Sequence, residues 1–221
     1  MNSHYLPSLL LLLLTTTAHA QLPLPDPSPT PLYDLLLPKY LQVGYATRAW
    51  VRDSLPSDRD PIELVDIIYA RAVAEASGDI DLALVGALFA VFEHQDIPLS
   101  IGISLPLTLE PRALFEARIA RLPRHLFADR PDADDRDKLQ HFFASALIAR
   151  LLDNAELADV VGIMIEEGED AFVRGGVNDD RDVRANRLGH LFVELLREEP
   201  HLLPGVVLRA WNREYRRRTQ P

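Results

Sequence analysis

The sequence predicts a mainly α protein, a helical bundle with one short β hairpin or edge strand. Apolar residues recur at helical spacing through most of the chain after Pro38. Strict alternation is confined to Ile97–Leu109, and proline, glycine or aspartate marks the ends of the helical runs. With 221 residues, 48% of them hydrophobic, the chain from 38 to 221 is long enough for one core, with a softer seam expected at 123–135.

Composition excludes several classes of function. The net charge of −10 and the pI near 5.1 argue against a nucleic-acid partner, because phosphate binding needs a basic surface. Cysteine is absent, so disulfides, thiolate metal sites, a cysteine nucleophile and a lipid on an N-terminal cysteine are all excluded.

Residues 1–20 read as an export signal, with an unbroken leucine run at Leu9–Leu14 and a small-x-small site at Ala18-His19-Ala20. Cleavage there leaves Gln21 first. No Lys or Arg precedes the leucines, a departure from the usual signal; the alternative, an uncleaved anchor, is short against the roughly 20 residues a span needs. Residues 21–37 form a proline-rich linker, with proline at 23, 25, 27, 29 and 31, which favours an extended spacer.

The elements then follow in order. Leu41, Tyr45, Arg48, Ala49 and Arg52 lie at helical spacing before Pro56. Asp60-Pro61 is an N-cap with proline at the first helical position, opening a helix whose Ile62, Val65, Ile68, Tyr69 and Ala72 share a side. Gly78 closes it. The next helix, from Asp79 to about His94, is apolar almost all round and belongs in the middle of a domain. Ile97–Leu109 alternates strictly, with Pro98 and Pro106 suited to an edge. It either folds back near Gly102 or pairs with a second copy of the chain, giving a homo-oligomer. A short helix from Glu110-Pro111 to about Leu122 precedes the polar connection 123–135, whose aspartates lack the glycine turn and distal glutamate of a calcium loop.

Three further helices carry the candidate site. The first runs from an Asp137 N-cap to Leu152, with His141 projecting between Ile148 and Leu152. The second spans about Ala155–Phe172, with Glu167 inside its apolar arc and Asp170 at the margin. After Gly175-Gly176, Asp179 or Asp180 caps a third that reaches about Arg197. There Asp182, Asn186, Gly189 and Val193 share one line, and His190 occupies the adjoining strip. The glycine lets another helix approach closely. Short links put sequential helices side by side, so His141, Glu167, Asp170, Asp182 and Asn186 are expected to meet in a common interior. Unmatched polar groups there would cost several kcal/mol, on the order of 1–3 each. Either they form a structural hydrogen-bonded network, or His141, Glu167, Asp170 and Asp182 hold a divalent metal, for which zinc, manganese and iron are the suitable ions. Ser145 lies one turn from His141 but has no nucleophile-elbow glycines around it.

The run Asp137-Lys138-x-x-His141, Glu166-Glu167-x-x-Asp170 and Asp182-x-x-Ala185-Asn186-x-x-Gly189 resembles a bacterial family of predicted envelope proteins, often lipoproteins or membrane-associated, of uncharacterised activity. The match covers roughly the last third of the chain. The resemblance singles out His141, Glu167, Asp170, Asp182 and Asn186 and implies no reaction. The absence of cysteine separates this chain from the lipoprotein members.

A last helix is expected over Leu202–Tyr215, ending in Arg213, Arg216, Arg217 and Arg218, a basic end that suits a helix C-terminus and could touch anionic headgroups. The functional expectation is an exported envelope protein, periplasmic or secreted, acting as a non-catalytic scaffold or binding module. The alternative is a metal-dependent hydrolase acting on an envelope component, with one carboxylate activating water.

Overall fold

A computed structural model describes residues 39–93, 96–98, 104–106, 110–130, 132–152 and 180–219. Among these, seven helices follow one another: α1 (Lys39–Ser54), α2 (Pro61–Glu75), α3 (Ile80–Val91), α4 (Arg112–Ile119), α5 (Arg136–Leu151), α6 (Asp180–Glu198) and α7 (Gly205–Thr219). The chain is mainly helical, as its periodicity requires. The export signal, the proline-rich linker, Glu167, Asp170, the helix expected over Ala155–Phe172 and the Gly175-Gly176 turn lie outside the described residues.

Capping side chains set several boundaries. Asp60 Oδ1 accepts from the backbone N–H groups of Ile62 (3.0 Å) and Glu63 (3.3 Å), starting α2 where Pro61 costs no hydrogen bond. Its end is a turn with Ser77 and Gly78 both at positive φ (56° and 87°), the conformation glycine adopts without strain. Asp79 Oδ1 then accepts from Asp81 and Leu82 at 3.1 Å and opens α3. Because α3 is apolar around most of its circumference, it packs on α1, α2 and α5 at once.

The β excursion departs from expectation. The hairpin or edge strand expected over Ile97–Leu109 is not seen as such. Two three-residue extended segments, Asp96–Pro98 and Ser104–Pro106, pair antiparallel with Ile97 opposite Leu105. Each ends on a proline, which brings no N–H to extend the ladder, and no third strand joins them among the described residues.

Asp137 does not cap α5. The helix starts at Arg136, after Asp135, whose fully buried carboxylate turns away and accepts from Leu126 N (2.8 Å) and Phe127 N (3.1 Å). Asp137 therefore sits in the first turn. The segment after Pro123 is tied down again by Asn212, which accepts from Ala128 N (2.9 Å) and donates to Leu126 O (2.8 Å). The last helix begins at Gly205, three residues later than expected, because Asp66 of α2 supplies its cap. Asp66 Oδ1 accepts from Gly205 N at 2.5 Å, while its Oδ2 pairs with Arg209 at 2.6 Å.

Tyr69, Phe142, Phe143 and Phe192 make the aromatic centre where α2, α5 and α6 meet. Tyr69 and Phe192 lie edge to face at 5.2 Å between ring centroids, as do Phe142 and Phe143. All four are buried, and each such side chain contributes about 1.5–3 kcal/mol through lost contact with water.

Candidate functional site

Of the candidate residues, His141, Asp182 and Asn186 lie at the seam between α5 and α6. Their contacts advance together along both helices: Lys138 with Asp182, then Ser145 with Asn186, with Phe142 and Ala146 facing Gly189. The two helices therefore run parallel. Gly189 allows this. A β carbon there would press on the carbonyl oxygen of Phe142 and lie 3.0 Å from Ala146 N, both of them backbone atoms that cannot swing aside.

Polar side chains occupy one edge of that close approach. Asp182 Oδ1 lies 2.6 Å from Lys138 Nζ and 3.3 Å from His141 Nε2. Lys138 also meets Asp137 Oδ2 at 2.7 Å. The Lys138 side chain is only 6% exposed, against 21% for His141 and 26% for Asp182. Among the described residues one ammonium thus meets two carboxylates in a partly dry seam, where opposite charges attract more strongly than in water. One turn on, Ser145 Oγ donates to Asn186 Oδ1 at 2.8 Å.

Of the residues the sequence singles out, the structure brings His141 and Asp182 together and places Asn186 on the same face. Asn186 meets Ser145 and not the imidazole. His190 is exposed. Glu167 and Asp170 fall outside the described residues. Lys138 was missed as a member of the cluster, although its spacing of three from His141 puts both on one helix face. Ser145 directs its hydroxyl proton to an amide oxygen, which leaves it no activating base in that contact. Among the described residues no three His, Asp or Glu side chains are grouped to hold a metal.

Two further charged networks are embedded in the fold. At the C-terminal end of α3, the fully buried Arg118 donates to Ala90 O (2.7 Å) and Phe92 O (3.2 Å) and pairs with Glu110 Oε2 at 3.1 Å. Arg48 donates from Nε to Phe89 O at 2.6 Å. The orphan carbonyls at a helix end attract cations. Burial, and then the neighbouring Arg118 charge, push the Arg48 guanidinium down to about 10. Its Nη1 has no hydrogen-bond partner among the described residues.

The other network adjoins the seam. Arg181 pairs with the buried Asp135, Arg184 meets Asp129 at 2.6 Å, and the Arg184 guanidinium lies over the rings of Phe127 (5.2 Å) and Trp211 (4.6 Å). Burial raises Asp135 above its ordinary range despite the two backbone donors. In sequence, the first network shows only as arginines among apolar residues, and the second as arginines in the mixed polar stretch 179–187.

No protein-family model, curated protein or solved structure matches the chain.

Proposed function

We propose that this chain is an exported envelope protein that works as a non-catalytic scaffold or binding module. The observation that carries the non-catalytic reading is the 2.6 Å approach of Lys138 Nζ to Asp182 Oδ1. The acid that would have ligated a metal already has the protein's own cation on the same oxygen that faces His141. A divalent ion at that oxygen would meet the ammonium charge head-on. Lys138 with Asp182, and Ser145 with Asn186, fasten α5 to α6. Export is supported by the leucine run and the Ala18-His19-Ala20 site. The resemblance to envelope proteins is carried by the motif residues of the last third.

The test is elemental analysis of protein purified without chelator, together with N-terminal sequencing of protein recovered from its host. The scaffold reading expects far less than one metal per chain and a new terminus at Gln21. Stoichiometric zinc, manganese or iron, lost on Asp182→Ala, would overturn it in favour of a metal-dependent hydrolase of an envelope component, with His141, Glu167, Asp170 and Asp182 as ligands. Pairing of two copies through Ile97–Leu109 belongs to the same proposal, and sedimentation of Ile103→Asp against the parent checks it.

A further inference from the structure

We propose that the solvent face of α7 is a docking surface for anionic lipid headgroups. A helix turns about 100° per residue, so Arg209, Arg213, Arg216 and Arg217 fall within one arc, at i, i+4, i+7 and i+8. The opposite arc faces the fold. Val207 and Leu208 on it are fully buried, and the Trp211 and Tyr215 rings meet edge to face at 5.4 Å. Arg213, Arg216 and Arg217 are exposed, and Arg209 stays 41% exposed although Asp66 anchors it. Glu214 lies off the stripe, 2.7 Å from Arg218 and 3.9 Å from Arg217, a single carboxylate against four arginines over residues 213–218.

This charge runs against that of the molecule. The chain as a whole carries −10, so an anionic plane attracts the stripe and repels the remainder. That combination orients the protein with α7 toward the surface. A lipid layer fits better than an acidic protein. The apolar side chain sharing that arc, Val206, is half-buried against the core, and the stripe lies on the outer side of one helix, whereas a specific protein interface needs an anchor buried in a pocket. A fluid layer of headgroups needs none. Trp211 is not available for insertion, because Arg184 covers its ring at 4.6 Å and its Nε1 is buried. Attachment is therefore electrostatic, reversible and weakened by salt. It rests on the envelope reading only for which membrane is met, and synthetic vesicles test it independently of that reading.

The experiment is co-flotation of the full-length chain with phosphatidylcholine vesicles containing about 30% phosphatidylglycerol, at low and at about 0.5 M salt. The salt-dependent part of the partition is the readout, because the leucine-rich start of the chain contributes a salt-independent part. We expect a salt-dependent partition that is absent with pure phosphatidylcholine. It should fall on the order of a hundredfold in the triple variant Arg213→Gln, Arg216→Gln, Arg217→Gln, whose three sites are exposed and so leave the fold intact. No salt-dependent partition, or one unchanged in the triple variant, overturns the proposal. So does a self-association, or a retention on duplex DNA, that the triple variant abolishes while vesicle partition stays the same.

Discussion

Lys138 Nζ and Asp182 Oδ1 lie 2.6 Å apart across the α5–α6 seam, and that pair joins two helices far apart in the chain. Lys138 is the more deeply buried partner, so it loses more when the pair is broken. Asp182→Ala is expected to cost about 1–3 kcal/mol, because Asp137 remains as a second, more exposed counter-ion. The double variant with Lys138→Met should recover part of that loss. Urea melts of the four-member cycle measure the coupling, and additive losses would show that the pair contributes nothing of its own.

Gly189→Ala reverses the usual sign of a glycine substitution in a helix. On propensity alone it would gain about 1 kcal/mol. Here the added carbon meets the Phe142 carbonyl and Ala146 N, and prying the helices apart costs about 2 kcal/mol or more on balance. A melt as stable as the parent would contradict the close approach.

The two arginines at the end of α3 should respond differently to the same change. Arg118→Met removes the buried cation that pairs with Glu110, whose side chain is 7% exposed, together with its hydrogen bonds to the Ala90 and Phe92 carbonyls, at a cost of about 3 kcal/mol. Arg48→Met loses one carbonyl contact and relieves a like-charge neighbour, so less than about 1.5 kcal/mol is expected. Equal losses in denaturant melts would refute the ordering.

Stability should show an unusual dependence on acidity. Burial raises Asp66 above its ordinary 3.8, against the opposing pull of Arg209 and the Gly205 N–H, and burial likewise raises Asp135 and Glu93. An acid raised on folding holds its proton more tightly in the folded chain. Its contribution is therefore fully present below its ordinary value and is lost as pH climbs through the folded one. These three groups make stability fall as pH rises above about 4. Asp53 and Asp134, held low by Arg52 and Arg136, act in the opposite sense at exposed sites. Asp66→Asn removes one titrating group, so its stability should fall less than the parent's as pH rises above about 4. Parallel curves from urea melts would contradict this.

The periodicity of the chain made the helices legible, and Asp60 and Asp79 announced two of their starts. Caps supplied from elsewhere were not legible. Nothing near Gly205 reveals that Asp66 will cap α7, and Asp135 looks like an ordinary N-cap although its acceptors go to Leu126 and Phe127. At the site, helical spacing was enough to place His141, Asp182 and Asn186 on facing surfaces. Lys138, though part of the quoted motif, was left out of the expected cluster because a lysine is expected to reach water, and only the partner helix shows that its ammonium stays inside.

Since α5 and α6 travel in the same direction, the end of α5 does not lie beside the start of α6. Neither helix can therefore zip onto the other from a shared tight turn. Their meeting waits on closing a large loop, whose entropy is spent before any contact rewards it. We expect amide protection in α6 to appear after that in α2 and α3 during refolding, as pulsed hydrogen exchange would register. In that sequence of events the glycine at 189 acts as the final latch.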